Sequence, residues 1–227
     1  MDCVENYQNI KKSLPENVLL LAVSKTKPNE DILKLYNIGC RDFGENKVQE
    51  MTQKHQELPK DIRWHQIGHL QTNKIKYIID FVYMIHSVDS LKLLQEINRQ
   101  AEKHSRIVDC LLQVKVAQED TKFGLSFQET ENLFQENVFE KLKNIRLRGL
   151  MAMATNTDDV LEIQKEFLSV KNFYNLLRIK YSVGEEFNQI SMGMSEDYPI
   201  AIENSSTIVR LGSVIFGQRD YSNQNKE

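Results

Sequence analysis

A lysine that ends an apolar run is the first residue of this sequence whose type and place suggest chemistry. The stretch NVLLLAVSKTKP covers Asn17 to Pro28 and puts Lys25 two residues beyond its last apolar side chain. Such a run reads as a strand buried on both faces, which leaves Lys25 at the strand exit. At a semi-dry exit an ammonium is poorly solvated and its pKa falls, and Lys27 nearby adds like-charge repulsion. A neutral amine there can condense with an aldehyde to form a Schiff base. The plainer alternative is a pair of solvated lysines after a strand.

Two segments near the end of the chain add to this. QISMGMSEDYP places Ser191, Gly193 and Ser195 after another short apolar run, and Ser195 with Glu196 and Asp197 reads as a helix start. Small residues let the backbone approach a ligand, and a helix start offers unpaired N–H groups to an anion. TIVRLGS then supplies Gly212 and Ser213 at a further exit. Its period of two puts Ile208, Arg210 and Gly212 on one face and Val209 and Leu211 on the other. Arg210 therefore points inward, where a buried guanidinium needs an acceptor. A carboxylate from another strand is one candidate and a pyridine nitrogen another. Arginine keeps its proton, so a ring nitrogen facing it stays unprotonated and is a weak electron sink. An amine for an aldehyde, small residues for a phosphate and a cation for a ring nitrogen describe a site for pyridoxal 5′-phosphate (PLP).

These residues need a frame that brings strand exits together. Eight segments read as strands: NVLLLAV, CRDFG, IRWHQIG, FVYMIHSV, VDCLLQVKV, IRLRGLMAMA, EFNQISMG and TIVRLGSVIFG. Amphipathic segments alternate with them, after an opening helix in ENYQNIKKSL. DDVLEIQKEFLSVKNFYNLLRIK carries Val160, Ile163, Phe167, Val170, Tyr174 and Leu177 on one helical face. SLKLLQEINRQAEKH is another helix, with Asp89 or Ser90 as its cap. Alternation of this kind predicts an α/β fold with a parallel sheet inside helices. Eight strands favour a single (β/α)8 TIM barrel with an additional N-terminal helix, whose functional groups gather at the C-terminal strand ends. An open doubly wound sheet is the rival, but neither glycine-rich nucleotide motif occurs.

Composition narrows the class. The chain has 227 residues, 41% hydrophobic and 27% charged, with a formal net charge of −3. That charge does not suggest a nucleic-acid or membrane surface. No stretch is long enough to span a bilayer, and the N-terminus lacks a signal-peptide core. Cys3, Cys40 and Cys110 are odd in number and far apart, which predicts free thiols in a reducing cytoplasm. His65 and His69 stand four apart but in a strand reading share no helix face, so a metal pair is not expected. The KFG of 122–124 is either a mouth residue set or an exposed loop, and the tail 222–227 reads as disordered.

The sequence resembles the YggS/PROSC (PLPBP) family of pyridoxal phosphate homeostasis proteins. LLAVSKTKP, FGENKVQE, WHQIGHLQTNK, RGLMAMA, SMGMSEDYPIAI and VRLGSVIFGQRDY carry the resemblance, in order, over nearly the whole chain. It implies one barrel of the alanine racemase N-terminal-domain type over residues 1–221, with the cofactor held as an aldimine on Lys25. The serine and glycine positions of the family fall on Ser191, Gly193, Ser195, Gly212 and Ser213, and its strand-8 arginine on Arg210; Met194 of the same motif is a further cofactor-binding position. Asn46 and His65 fall on pocket neighbours. Two departures are His69, where proline is common, and the lack of a proline soon after RGLM; both concern the pocket rim.

The functional expectation is a PLP-binding protein acting in vitamin B6 and amino-acid homeostasis without robust catalysis. Its expected partners are PLP and recipient PLP-dependent apo-enzymes, as a cytoplasmic monomer. Racemases need two opposed bases, and the chain runs only a few residues past its eighth strand, so a second racemase domain is not expected. A single-domain PLP-dependent racemase-like enzyme is the alternative. A class I aldolase-like enzyme using Lys25 is a third.

Overall fold

Eight short segments, most of them carrying Val, Leu or Ile and all too short for long helices, pair here as parallel strands that close on themselves. The structure is a computed structural model that describes residues 2–117 and 123–217. The strands are β1 Leu19–Val23, β2 Asp42–Glu45, β3 Arg63–Gln66, β4 Val82–Val88, β5 Val108–Gln113, β6 Ile145–Met151, β7 Gln189–Ser191 and β8 Ile208–Leu211. Each pairs with the next, and β1 with β8 closes the barrel in the register Leu21 to Arg210. The open-sheet rival is thereby excluded.

The helices are α1 Cys3–Ser13, α2 Asn29–Asn37, α3 Val48–Glu57, α4 Leu91–Lys103, α5 Phe127–Gln135, α6 Val138–Lys141, α7 Val160–Lys180, α8 Tyr198–Glu203 and α9 Ser213–Phe216, with a 3-10 turn at Thr72–Tyr77. Ser90 caps α4 by accepting from Leu93 N–H, an interaction of about 1 kcal/mol. Asp89, the other candidate cap, instead meets His69. Helix α7 buries Ile163, Phe167, Val170, Tyr174 and Leu177 as its spacing predicts, but Val160 is exposed because it opens the helix, ahead of the packed turns. The last strand is shorter than its apolar run suggests: after Gly212 the residues Ser213–Phe216 turn into α9. The extra helix α1 docks there, with Asn6 Nδ2 donating to Ile215 O at 3.0 Å.

Two apolar compartments follow from the period of two. Val209 and Leu211 join the large core between barrel and helices. Leu21, Met84, Leu111, Met151 and Ile208 form a smaller cluster inside the barrel. The inward face thus takes Ile208 and Arg210, as the alternation of β8 predicts. Among the described residues no helix is long and apolar enough to cross a membrane, and the three cysteines are buried and free.

Candidate functional site

At the C-terminal ends of the strands lies a cavity of about 630 Å³, within the usual range for small-molecule sites. Lys25, Asn46, Met194, Ser195, Arg210, Gly212 and Ser213 all line it. The remaining three predicted positions do not. His65 and Ser191 are fully buried inside the barrel, and Gly193 stands behind the wall. Gly193 adopts φ +95°, and a Cβ there would lie 2.7 Å from Ala201 Cβ. It is needed where the β7 exit folds tightly against α8.

Lys25 is presented by a four-residue turn at the end of β1. Lys27 N–H bonds Ser24 O at 3.0 Å, and Thr26 at the third position has φ 64°. A β-branched residue in that region costs roughly 1–3 kcal/mol and persists only where its surroundings hold it. Here Glu50 Oε1 accepts Thr26 N–H at 2.6 Å. Below the turn, Lys54 Nζ donates to Ser24 O at 2.8 Å, Glu45 Oε1 at 2.8 Å and Glu50 Oε1 at 2.6 Å. Ser24 Oγ donates to Glu45 Oε1 at 2.6 Å. Lys27 also lines the cavity, but its ammonium reaches the carbonyls of Phe216 and Gly217 at 3.2 and 3.3 Å and so ties β1 to the end of α9.

The Glu45 carboxyl gives a pH expectation. Burial pushes its pKa up to about 7, with the Lys54 cation opposing. Unfolded, it titrates near its ordinary 4.5, so the folded chain holds this proton more tightly. Its contribution to stability is full below the unfolded value and is lost as pH rises through about 7. Urea midpoints should fall between pH 5 and pH 8 by a component that Glu45→Gln removes; an unchanged profile in that variant would refute the assignment.

The exits of β7 and β8 form the opposite wall. Ser195 lies in a turn ahead of α8, which begins only at Tyr198, so it is not in the helix as the sequence suggested. Asp197 shapes this turn by accepting Met194 N–H at 2.5 Å. The N–H groups of Ser195, Glu196 and Ser213 have no hydrogen-bond partner among the described residues, and all three residues line the cavity. Such groups suit an anion.

Arg210 is buried without a carboxylate in salt-bridge range among the described residues. Nη1 donates to Ser191 O and Oγ, both at 2.7 Å, and Nη2 to Ala152 O at 2.9 Å. Burial lowers its pKa to about 10, partly opposed by Asp197, so it stays a cation at neutral pH. The rim is set by residues with weaker sequence signals. His69 Nδ1 lies 2.9 Å from Asp89 Oδ2, and its ring stacks on Phe123 at 3.9 Å. Lys122 and the tail 222–227 lie outside the described residues. Glu166 of α7 accepts from Thr155 N–H and Oγ1 at 2.7 and 2.6 Å and so fixes the β6–α7 loop at the cavity. Among the described residues no three His, Cys, Asp or Glu side chains are arranged to hold a metal.

The fold and site define a class: residues 3–220 match the family model of the alanine racemase N-terminal domain. Alanine racemase of Clostridium difficile shares the fold at TM-score 0.79 and 18% identity, over 96% of this chain and 57% of the racemase. PipY of Synechococcus elongatus is much more similar, with 33% identity over 95% of this chain and all of PipY. Its TM-score is 0.89 for the structure without PLP and 0.87 for that with PLP bound. The pyridoxal phosphate homeostasis protein of Aquifex aeolicus is 38% identical over 203 residues, 89% of this chain and 87% of the relative. That of Vibrio alginolyticus is 38% identical over 213 residues, 92% and 89% of the two chains. The chain belongs to the pyridoxal phosphate homeostasis protein family.

Proposed function

We propose that this chain binds PLP in the cavity at the barrel mouth and acts in PLP homeostasis, with Lys25 in Schiff-base linkage to the cofactor's aldehyde. The single observation that carries this is one cavity lined by an amine, a cation and an anion-ready wall: Lys25, Arg210, and the turns of Ser195 and Ser213. The cofactor fits these groups by charge and by reach of backbone. Gly212 keeps the β8 exit close to β1, since a Cβ there would meet Val23 O at 3.3 Å. When bound, PLP supplies an electrophilic aldehyde carbon. The protein's share is to offer the Lys25 amine on a braced turn, receive the phosphate on free N–H groups and set a permanent cation against the ring nitrogen.

That cation favours holding over catalysis. A ring nitrogen opposite Arg210 takes up no proton from it, so carbanion chemistry gains little. The relatives bear the name of a homeostasis protein rather than of an enzyme. The binding unit in this reading is the whole barrel, residues 1–221, acting as a cytoplasmic monomer that gives its cofactor to PLP-dependent apo-enzymes.

The test is borohydride reduction of the PLP-loaded protein followed by peptide mass mapping. The phosphopyridoxyl mass is expected on Lys25. Its appearance on Lys27, in the same peptide region but tied to α9, would overturn the assignment, as would no incorporation. Incubation with L-amino acids in D2O addresses catalysis: sustained Cα exchange would overturn the binder reading in favour of a racemase-like enzyme.

A further inference from the structure

Behind Arg210 a file of buried polar groups crosses the barrel interior. Ser191 Oγ lies 2.7 Å from Arg210 Nη1 and 3.0 Å from His86 Nδ1. His86 Nε2 lies 2.9 Å from His65 Nδ1, and His65 Nε2 3.1 Å from Asp42 Oδ1. The file starts at β8, passes β7, crosses the lumen to β4, and continues through β3 to β2. His65, His86 and Ser191 are fully buried and Arg210 is only 4% exposed.

The chemistry of the two ends sets the direction of every link. A guanidinium only donates and a carboxylate only accepts. Asp42 is kept ionised: burial pushes its pKa up, but hydrogen bonds from His65 and Arg63 outweigh that and leave it below the ordinary value. Arg63 reinforces it through Nε at 2.7 Å. Ser191 receives a proton from Arg210 and so has its own hydroxyl proton for His86 Nδ1. His86 then carries its proton on Nε2 and gives it to His65 Nδ1. His65 likewise carries its proton on Nε2 and gives it to Asp42. The file closes only with both rings neutral, and an added proton on either leaves the Ser191 hydroxyl without an acceptor in it. Burial above all, and the Arg210 cation, lower the His86 pKa, in keeping with a neutral ring.

We propose that Asp42, His65, His86 and Ser191 form a one-directional hydrogen-bond chain that fixes the Arg210 guanidinium against the cofactor's ring nitrogen. His65 and His86 are then positioning residues, which sequence reading placed beside the cofactor in the first case and passed over in the second. Three of the five guanidinium protons are committed to Ser191 and Ala152. The remaining N–H groups have no acceptor among the described residues, and Arg210 lines the cavity. The link to the cofactor rests on the PLP reading; the chain itself does not.

Two measurements separate these. In the apo-protein labelled with ¹⁵N-histidine and ¹⁵N-arginine, both rings should be neutral Nε2–H tautomers at pH 7, and the Arg210 Nη protons should give separate, slowly averaging signals. A protonated ring or an Nδ1–H tautomer at either position would overturn the chain, whether or not PLP binds. In the loaded protein, His86→Leu should shift the Schiff-base band and release PLP about five-fold faster, the effect of one ordinary hydrogen bond. His86→Asn, whose amide oxygen can take the Ser191 proton, should restore both. Equal spectra and release rates in wild type, His86→Leu and His86→Asn would overturn the positioning role. If His86→Leu does not fold, the wild-type tautomers and the His86→Asn spectrum still decide. A wild-type protein with no band at all would refute the PLP reading and with it the link to the ring, while the apo-protein signals judge the chain separately.

Discussion

Lys25→Ala should abolish the Schiff-base absorbance of the PLP-loaded protein completely while leaving the fold intact. Lys25 is half-buried in the turn after β1, and its removal opens no core cavity. A stability change within about 0.5 kcal/mol is therefore expected. The anion-binding turns and Arg210 remain, so PLP should still associate, but without the covalent link. The apparent affinity should fall by at least roughly ten-fold, or about 1.4 kcal/mol. Absorbance titration with PLP, beside urea unfolding of the apo-protein, checks both parts. A surviving band would mean that another amine carries the aldehyde, and Lys27 would be the first to replace.

Lys54→Met should be the most destabilising single change near the site, although Lys54 does not line the cavity. Its side chain is 7% exposed and Glu45 is fully buried. Removing the ammonium leaves Glu45 and Glu50 facing one another without their shared cation, and breaking a buried pair this way costs about 3–5 kcal/mol. For a chain of this size the melting temperature should fall on the order of 10 °C. The strained turn at Thr26 should loosen too, because Glu50 both receives Lys54 and holds Thr26 N–H. Glu45→Gln combined with Lys54→Met removes the buried carboxyl left without its cation and should recover part of the loss. A cost below about 1 kcal/mol for Lys54→Met would show that the network does not brace the turn.

Together these variants divide the site into a covalent group and the support that aims it. In the proposed reading Lys25 meets the ligand. Glu45, Glu50 and Lys54 bond one another and the turn that carries Lys25, through Ser24 O, Ser24 Oγ and Thr26 N–H. The two should therefore fail differently: the first loses chemistry at constant stability, and the second loses stability first.

The sequence by itself determined the frame and its most chemical members. Strand and helix periods differ, so their alternation specified eight strands inside helices. A side-chain period of two is local, so it also placed Arg210 with Ile208 on the inward face of β8. Lys25, Ser195, Gly212 and Ser213 were legible because strand exits are marked by where apolar runs stop, and this fold gathers such exits on one rim. The resemblance to the family added Asn46 and Met194, which local patterns alone do not single out.

Tertiary structure decided what stands behind those residues. Nothing in FVYMIHSV distinguishes His86 from an ordinary strand residue; its partner Ser191 is 105 positions away and on a strand that does not pair with β4. Ser191 itself reads as a phosphate-side serine until the barrel closes and its hydroxyl is taken by His86 and Arg210. Lys54 looks like a solvated helix lysine, because only the docking of α3 under the β1 turn brings it to Glu45. The physical reason is common to all three. Periodicity reports which way a side chain points from its own element, whereas a buried polar group is defined by the partner it meets across the core, and that meeting exists only once the barrel has closed.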